Sequence, residues 1–218
     1  MYFQSRTDAG KQLAAKLVPK YRYENCAVVA LSDGGVMVGA EIAMQLHCVL
    51  TMLLTEEVRL PGEHDPLAVV DQDGKFTYNN MFSTGQLEEF TGEYHNYIEQ
   101  EKREKFHAIN QLLGSGGLIR RDLLYGHNVI LVSDGLKNAL SLDAAAQFLK
   151  PIKIARLIVA TPFASVPAVD RMHLMADEIV CLNVLENYMH TNHYYDNNKL
   201  PSHEKIVKTI ETVVLNWK

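Results

Sequence analysis

The 218-residue sequence predicts an α/β fold, a doubly wound and mainly parallel sheet. Three observations carry this expectation. Apolar, β-branched runs without polar alternation recur along the chain, as in strands covered on both faces. Two of them, 26–31 (CAVVAL) and 128–132 (NVILV), run directly into an Asp-Gly loop. Each loop opens a stretch with helical spacing, so strand and helix alternate.

The elements follow in order. Thr7 or Asp8 can cap a first helix that runs through Leu17, with Leu13, Ala14 and Leu17 on one face. Strand 26–31 is followed by Ser32-Asp33-Gly34-Gly35 and a helix over 36–46. Residues 49–54 form a further strand candidate. Between 61 and 125 the alternation stops. Residues 67–70, an Asp73-Gly74 turn and residues 76–78 read as a hairpin. A long charged helix over 86–113 follows, closed by Gly114-Ser115-Gly116-Gly117. We expect 61–125 to be an inserted hood on one domain spanning 1–218. The pattern then resumes with strand 128–132, the loop Ser133-Asp134-Gly135 and a helix over 138–149. Strands at 155–160 and 178–182, and helices at 166–175 and 203–215, complete the chain.

Composition narrows the function classes. With 47% hydrophobic and 22% charged residues the chain reads as globular. A formal net charge of -5 argues against a nucleic-acid partner, which needs many Lys and Arg contacts to phosphate. A small phosphorylated ligand, needing only a local pocket, stays open. Cys26, Cys48 and Cys181 are odd in number and lack a CxxC pair, so neither a disulfide framework nor a structural zinc site is expected. They read as buried, inert thiols in a cytoplasmic protein. No apolar run is long enough for a membrane helix, and the N-terminus lacks the order of a signal peptide.

In an open α/β sheet, ligands bind beyond the carboxyl ends of the strands. Both Asp-Gly loops lie at such ends and open helices, whose free N–H groups and dipole favour an anion. After the second strand, Gly135, Lys137, Asn138 and Ser141 offer backbone, cationic, amide and hydroxyl contacts. Asp134 can accept from sugar hydroxyls. The plain alternative is a strand–loop–helix turn that Asp134 merely shapes, with Lys137 solvated.

Taken together, these residues resemble a type I phosphoribosyltransferase. Phe3, Arg6, Ala9, Gly10, Leu13 and Ala14 fit the opening pattern of a bacterial subgroup. Residues 28–43 resemble its pyrophosphate loop and helix, and 67–79 its hairpin. Residues 128–145 stand where the phosphoribosyl-pyrophosphate (PRPP) motif belongs, and 176–182 and 194–196 match its C-terminal third. The resemblance implies a phosphoribosyltransferase-type sheet. It also implies transfer from PRPP to a nucleobase-like acceptor, with Mg²⁺ if the protein is active.

The departures fall on the chemistry. Where the motif has two acids, Ser133 precedes Asp134. The Thr-Gly that would wrap the 5′-phosphate is Asn138-Ala139, followed by Leu140 and Ser141. The pyrophosphate loop Pro-Arg-Gly-Gly is Ser32-Asp33-Gly34-Gly35, a reversal of local charge. Arg120 and Arg121 follow the glycine run, where the resemblance implies a closing loop; otherwise they are a basic surface pair. His190, His193 and Asp196 lie close in sequence but follow no zinc spacing. Two hypotheses stand. The first is a divergent protein with PRPP-dependent transfer weakened or lost, keeping a phosphate or nucleotide cleft. The second is an active transferase. A flavodoxin-like binding domain would also suit the Asp-Gly loops, but explains neither the hood nor the C-terminal match. A homodimer is left open.

Overall fold

The computed structural model describes residues 2–113, 119 and 121–216. Its centre is a five-stranded sheet of β1 (Cys26–Ala30), β2 (Val49–Met52), β6 (Asn128–Val132), β7 (Arg156–Ser165) and β8 (Glu178–Leu185). The order is β2-β1-β6-β7-β8 and every pairing is parallel. In β1, Ala27 and Val29 pack into one core while Val28 and Ala30 pack into the other. That two-sided burial is why these strands carry no polar alternation.

Helices cover both faces. α1 (Arg6–Tyr21), α2 (Asp33–Leu46) and α7 (His203–Thr212) close the larger core, and α5 (Leu140–Leu149) and α6 (Val166–Met175) the other. α1 is capped by Ser5, whose hydroxyl accepts from the Asp8 N–H, and not by Thr7 or Asp8. Asp8 lies inside the first turn, where its charge complements the helix dipole. α2 likewise starts earlier than expected. Ser32 is its cap and Asp33-Gly34-Gly35 form its first turn rather than a loop. The final helix gives way to a 3-10 turn over Val213–Asn216.

The hood is a three-stranded antiparallel sheet of β3 (Thr55–Val58), β4 (Ala68–Asp71) and β5 (Phe76–Tyr78). The β4–β5 hairpin turns at Gly74, whose φ of 76 favours glycine. β3 escapes the sequence reading because Thr-Glu-Glu-Val carries one apolar residue, and it starts the hood ahead of residue 61. The charged helix divides at Tyr94 into α3 (Thr84–Glu93) and α4 (His95–Leu113). Of the cysteines, Cys26 and Cys48 are buried and Cys181 is half-buried. No described helix is long and apolar enough to cross a membrane. The Gly114–Gly117 run lies outside the described residues.

Candidate functional site

β1 and β6 are register neighbours, so their carboxyl ends bring the 32–35 and 133–139 segments together. There the Asp134 carboxylate is the meeting point. One oxygen accepts from Arg6 Nε at 2.7 Å and the other from Ser32 Oγ at 2.9 Å. The Arg6 guanidinium also donates through Nη2 to Asn192 Oδ1 at 2.6 Å and sits 4.6 Å over the Tyr195 ring. The Tyr195 hydroxyl donates to the Asp134 carbonyl at 2.6 Å. Arg6 is only 5% exposed, which a cation tolerates because it is paired. Burial pushes the Tyr195 hydroxyl far above its ordinary range, and that of Tyr188 up to about 12.

Two glycines are fixed by this packing. A Cβ on Gly34 would lie 2.0 Å from Asp134 Oδ2. One on Gly135 would lie 2.4 Å from the Phe163 ring, and its φ of 158 is rarely adopted by L side chains.

The remaining predicted residues are mostly committed to local partners. Ser133 Oγ donates to the Gly135 carbonyl and accepts from its N–H, so it turns into its own loop. Asn138 Oδ1 accepts from the Leu140 N–H at 3.2 Å, which delays the start of α5. Ala139 stands at the cap position of α5 and supplies no side-chain acceptor. Lys137 pairs with Asp65 of the hood at 3.4 Å. Asp33 turns to His203 Nδ1 at 3.2 Å. Arg121 pairs with Asp73 and stacks 4.9 Å over Phe148, in a different hollow lined by Tyr125 and Ile152. Arg120 lies outside the described residues. Of the histidine cluster, His190 Nδ1 accepts from the His193 N–H, and His193 Nε2 meets the Tyr2 hydroxyl.

Between these loops and the hood lies a cleft of about 510 Å³. Ser133, Asp134, Asn138 and Ser141 line one side; Glu56, Glu57, Arg59 and Lys105 line the other. It continues past Thr191 into lobes of about 410 and 220 Å³. Sequence reasoning placed none of the hood residues here, nor Asn192 or Thr191. Arg6 and Tyr195 entered it only as pieces of a pattern. A cation in the first turn of an otherwise apolar-faced helix was the available signal for Arg6. The alternation of Thr55, Glu57 and Arg59 was the signal for the hood wall.

Among the described residues no three His, Cys, Asp or Glu side chains converge as metal ligands, and both Asp134 oxygens are taken. The donor set therefore does not fit an Mg²⁺ held by the protein itself.

Residues 3–190 match the family profile of the phosphoribosyl transferase domain. The chain belongs to this family. Two curated Mycobacterium tuberculosis proteins that carry a phosphoribosyl transferase name are 25% identical over 215 residues. The match takes in 96% of this chain and 46% of each relative, so the chain spans about half their length. Among solved structures, TT1426 from Thermus thermophilus shares a TM-score of 0.70 at 25% identity, covering 100% of this chain and 99% of that one. The AQ2163 protein from Aquifex aeolicus, at 12% identity and TM-score 0.50, covers 94% and 85% and shares the fold. In this phosphoribosyl transferase domain, the opening Phe-x-x-Arg pattern and the loop after β6 meet physically, through the Arg6–Asp134 pair.

Proposed function

We propose that the cleft binds a phosphorylated ribose ligand of the PRPP or nucleotide kind, and that PRPP-dependent transfer is weakened or lost. The observation that carries this reading is Asp134. It is the one acid left in the motif, and both of its oxygens serve Arg6 and Ser32 inside the protein. A ribose diol would have to compete with a buried ion pair for that carboxylate.

The other departures add to the cost. Ser133 offers a hydroxyl already engaged by its own loop, and Asn138 spends its side-chain oxygen on α5. Asp33 puts an acid at the position where the resemblance calls for a cation. Phosphoribosyl transfer asks little covalent chemistry of the protein. It depends on anchors that stabilise developing charge and on exclusion of water. Each missing charge-assisted contact is worth roughly 1.5 to 3 kcal/mol, so three losses weaken binding on the order of a thousandfold or more.

Titration calorimetry with PRPP, with and without Mg²⁺, tests this reading alongside transfer assays over common nucleobases. We expect weak binding and no transfer. The combined change Ser133→Asp, Asp33→Arg, Asn138→Thr and Ala139→Gly should restore part of the affinity. Micromolar affinity in the unaltered protein, or turnover with any base, would return the chain to the active enzymes; Mg²⁺ would then enter with the pyrophosphate.

A further inference from the structure

A hollow of about 530 Å³ lies at the other end of the sheet from the cleft. Arg121, Asp122 and Tyr125 line it from the segment that leads into β6. Pro151, Ile152 and Lys153 line it from the segment between α5 and β7. Hydrogen bonds tie the two segments together. The Gly126 N–H donates to the Lys153 carbonyl at 2.8 Å and the Ala155 N–H to the His127 carbonyl at 2.9 Å. His127 Nδ1 also lies 2.9 Å from the Tyr125 carbonyl. Arg121 braces one wall, stacking 4.9 Å over Phe148 and pairing with Asp73 of the hood. The hollow is thus preformed, so binding there need not order it first.

Its chemistry is amphipathic. Tyr125, 64% exposed, offers apolar surface together with Pro151 and the half-buried Ile152. Arg121 and Lys153 add positive charge, against Asp122 as the acid of the lining. Lys150, next to Pro151, complements the carboxyl end of α5. Lys153 lies beyond that helix and has no ion-pair partner among the described residues. In a chain of net charge -5, such a place draws acidic groups. Every lining residue except Ile152 is exposed, so the hollow is too open to enclose a small molecule. It suits a single side chain presented by a larger partner.

We propose that this hollow docks an acidic peptide segment of a partner protein. One apolar side chain of the segment seats on Tyr125, Pro151 and Ile152, and the carboxylates flanking it face Arg121 and Lys153. Tyrosine and arginine are the residue types that most often anchor such contacts. Arg121 is already paired with Asp73, so Lys153 supplies the larger share of the attraction. The occupant sits at the amino ends of β6 and β7 and leaves the cleft at their carboxyl ends open. The proposal is therefore independent of the ligand class given above.

The test is fluorescence anisotropy with a fluorescein-labelled Asp-Glu-Phe-Glu-Asp peptide. One control peptide replaces Phe by Ser, and a second replaces the acids by Lys. The acidic Phe peptide should bind saturably, and less tightly as salt is raised. Both controls should bind about tenfold more weakly or worse. Tyr125→Ala should weaken binding of the acidic Phe peptide about tenfold or more. Lys153→Glu should weaken it by roughly three- to tenfold. Because both side chains are exposed, thermal melts of the variants should match the unaltered protein and separate lost docking from misfolding. Absence of saturable binding, equal binding of the Ser peptide, or unchanged affinity in either variant overturns the proposal. So does self-association in sedimentation that Tyr125→Ala abolishes, which assigns the hollow to a second copy of this chain.

Discussion

Replacing Arg6 by alanine probes the junction on which the site is built. The substitution removes the 2.7 Å bond to Asp134, the 2.6 Å bond to Asn192 and the guanidinium stacked on Tyr195. It leaves the Asp134 carboxylate, in a residue only 8% exposed, with Ser32 Oγ as its remaining side-chain partner among the described residues. Removing one partner of a buried pair costs about 3 to 5 kcal/mol, chiefly because the surviving charge stays buried. At about 2 to 4 °C per kcal/mol for a chain of this size, the melting temperature should fall by about 6 to 20 °C. Urea unfolding gives the free energy and a thermal melt the temperature. A double-mutant cycle with Asp134→Ala isolates the pair. The double variant should be clearly more stable than the two single losses added together. A loss below about 1 kcal/mol in Arg6→Ala, or additive single effects, would refute the claim that this pair holds the loops.

Other outcomes follow from equally local features. Gly135→Ala should cost about 1 to 3 kcal/mol by forcing a Cβ against the Phe163 ring, whereas Gly62→Ala, with open space around it, meets only the strain of its φ of 87; urea midpoints distinguish them. Burial raises the Asp71 carboxyl above its ordinary value of 3.8, and its Oδ2 has no hydrogen-bond partner among the described residues. A folded-state acid with a raised pKa costs stability as pH climbs through the window above 3.8. Asp71→Asn should therefore flatten the fall in stability above that pH and leave stability below it unchanged; parallel pH profiles for both proteins would count against this. Burial pushes the Cys26 thiol up to about 11 and that of Cys48 up to about 12. A disulfide reagent at a pH of about 8 should thus modify these two only on unfolding, and rapid native-state labelling of either would contradict their placement.

The sheet was legible in the sequence because parallel strands buried on both faces write continuous apolar runs, as 26–30 and 128–132 do. The weaker readings share a physical cause. β3 is half-exposed and its Thr-Glu-Glu-Val holds one apolar residue, so only the weak alternation of Thr55, Glu57 and Arg59 marks it as a strand. The break at Tyr94 between α3 and α4 falls within a continuous helical spacing, where neither Gly nor Pro stands at the break. The start of α5 depends on a bond from Asn138 to the backbone two residues on, which spacing does not encode. For the candidate site, the two Asp-Gly segments were readable from their position after strands. Their present partners were not, because Arg6, Asp65, Asn192 and His203 come from remote parts of the chain. A hydrogen bond across such distances is set by topology, and periodicity reports only neighbours.

The clasp around Asp134 also has a consequence for synthesis. Arg6 lies 128 positions before Asp134 and 186 before Asn192. Phe3 forms a bridge to Tyr195, and its carbonyl accepts from the Asp196 N–H. Residues 3–6 therefore wait for residues 192–196 before this corner can close. Loop closure over such spans is slow, and within the sheet only the β1–β6 pairing reaches comparably far along the chain, the others joining nearer neighbours. A chain cut before residue 192 would keep Arg6, Ser32 and Asp134 but lose the Asn192 and Tyr195 contacts that seat the guanidinium. The full setting of the Arg6–Asp134 pair is thus assembled from three distant stretches of chain, and marks completion of the fold rather than partial order.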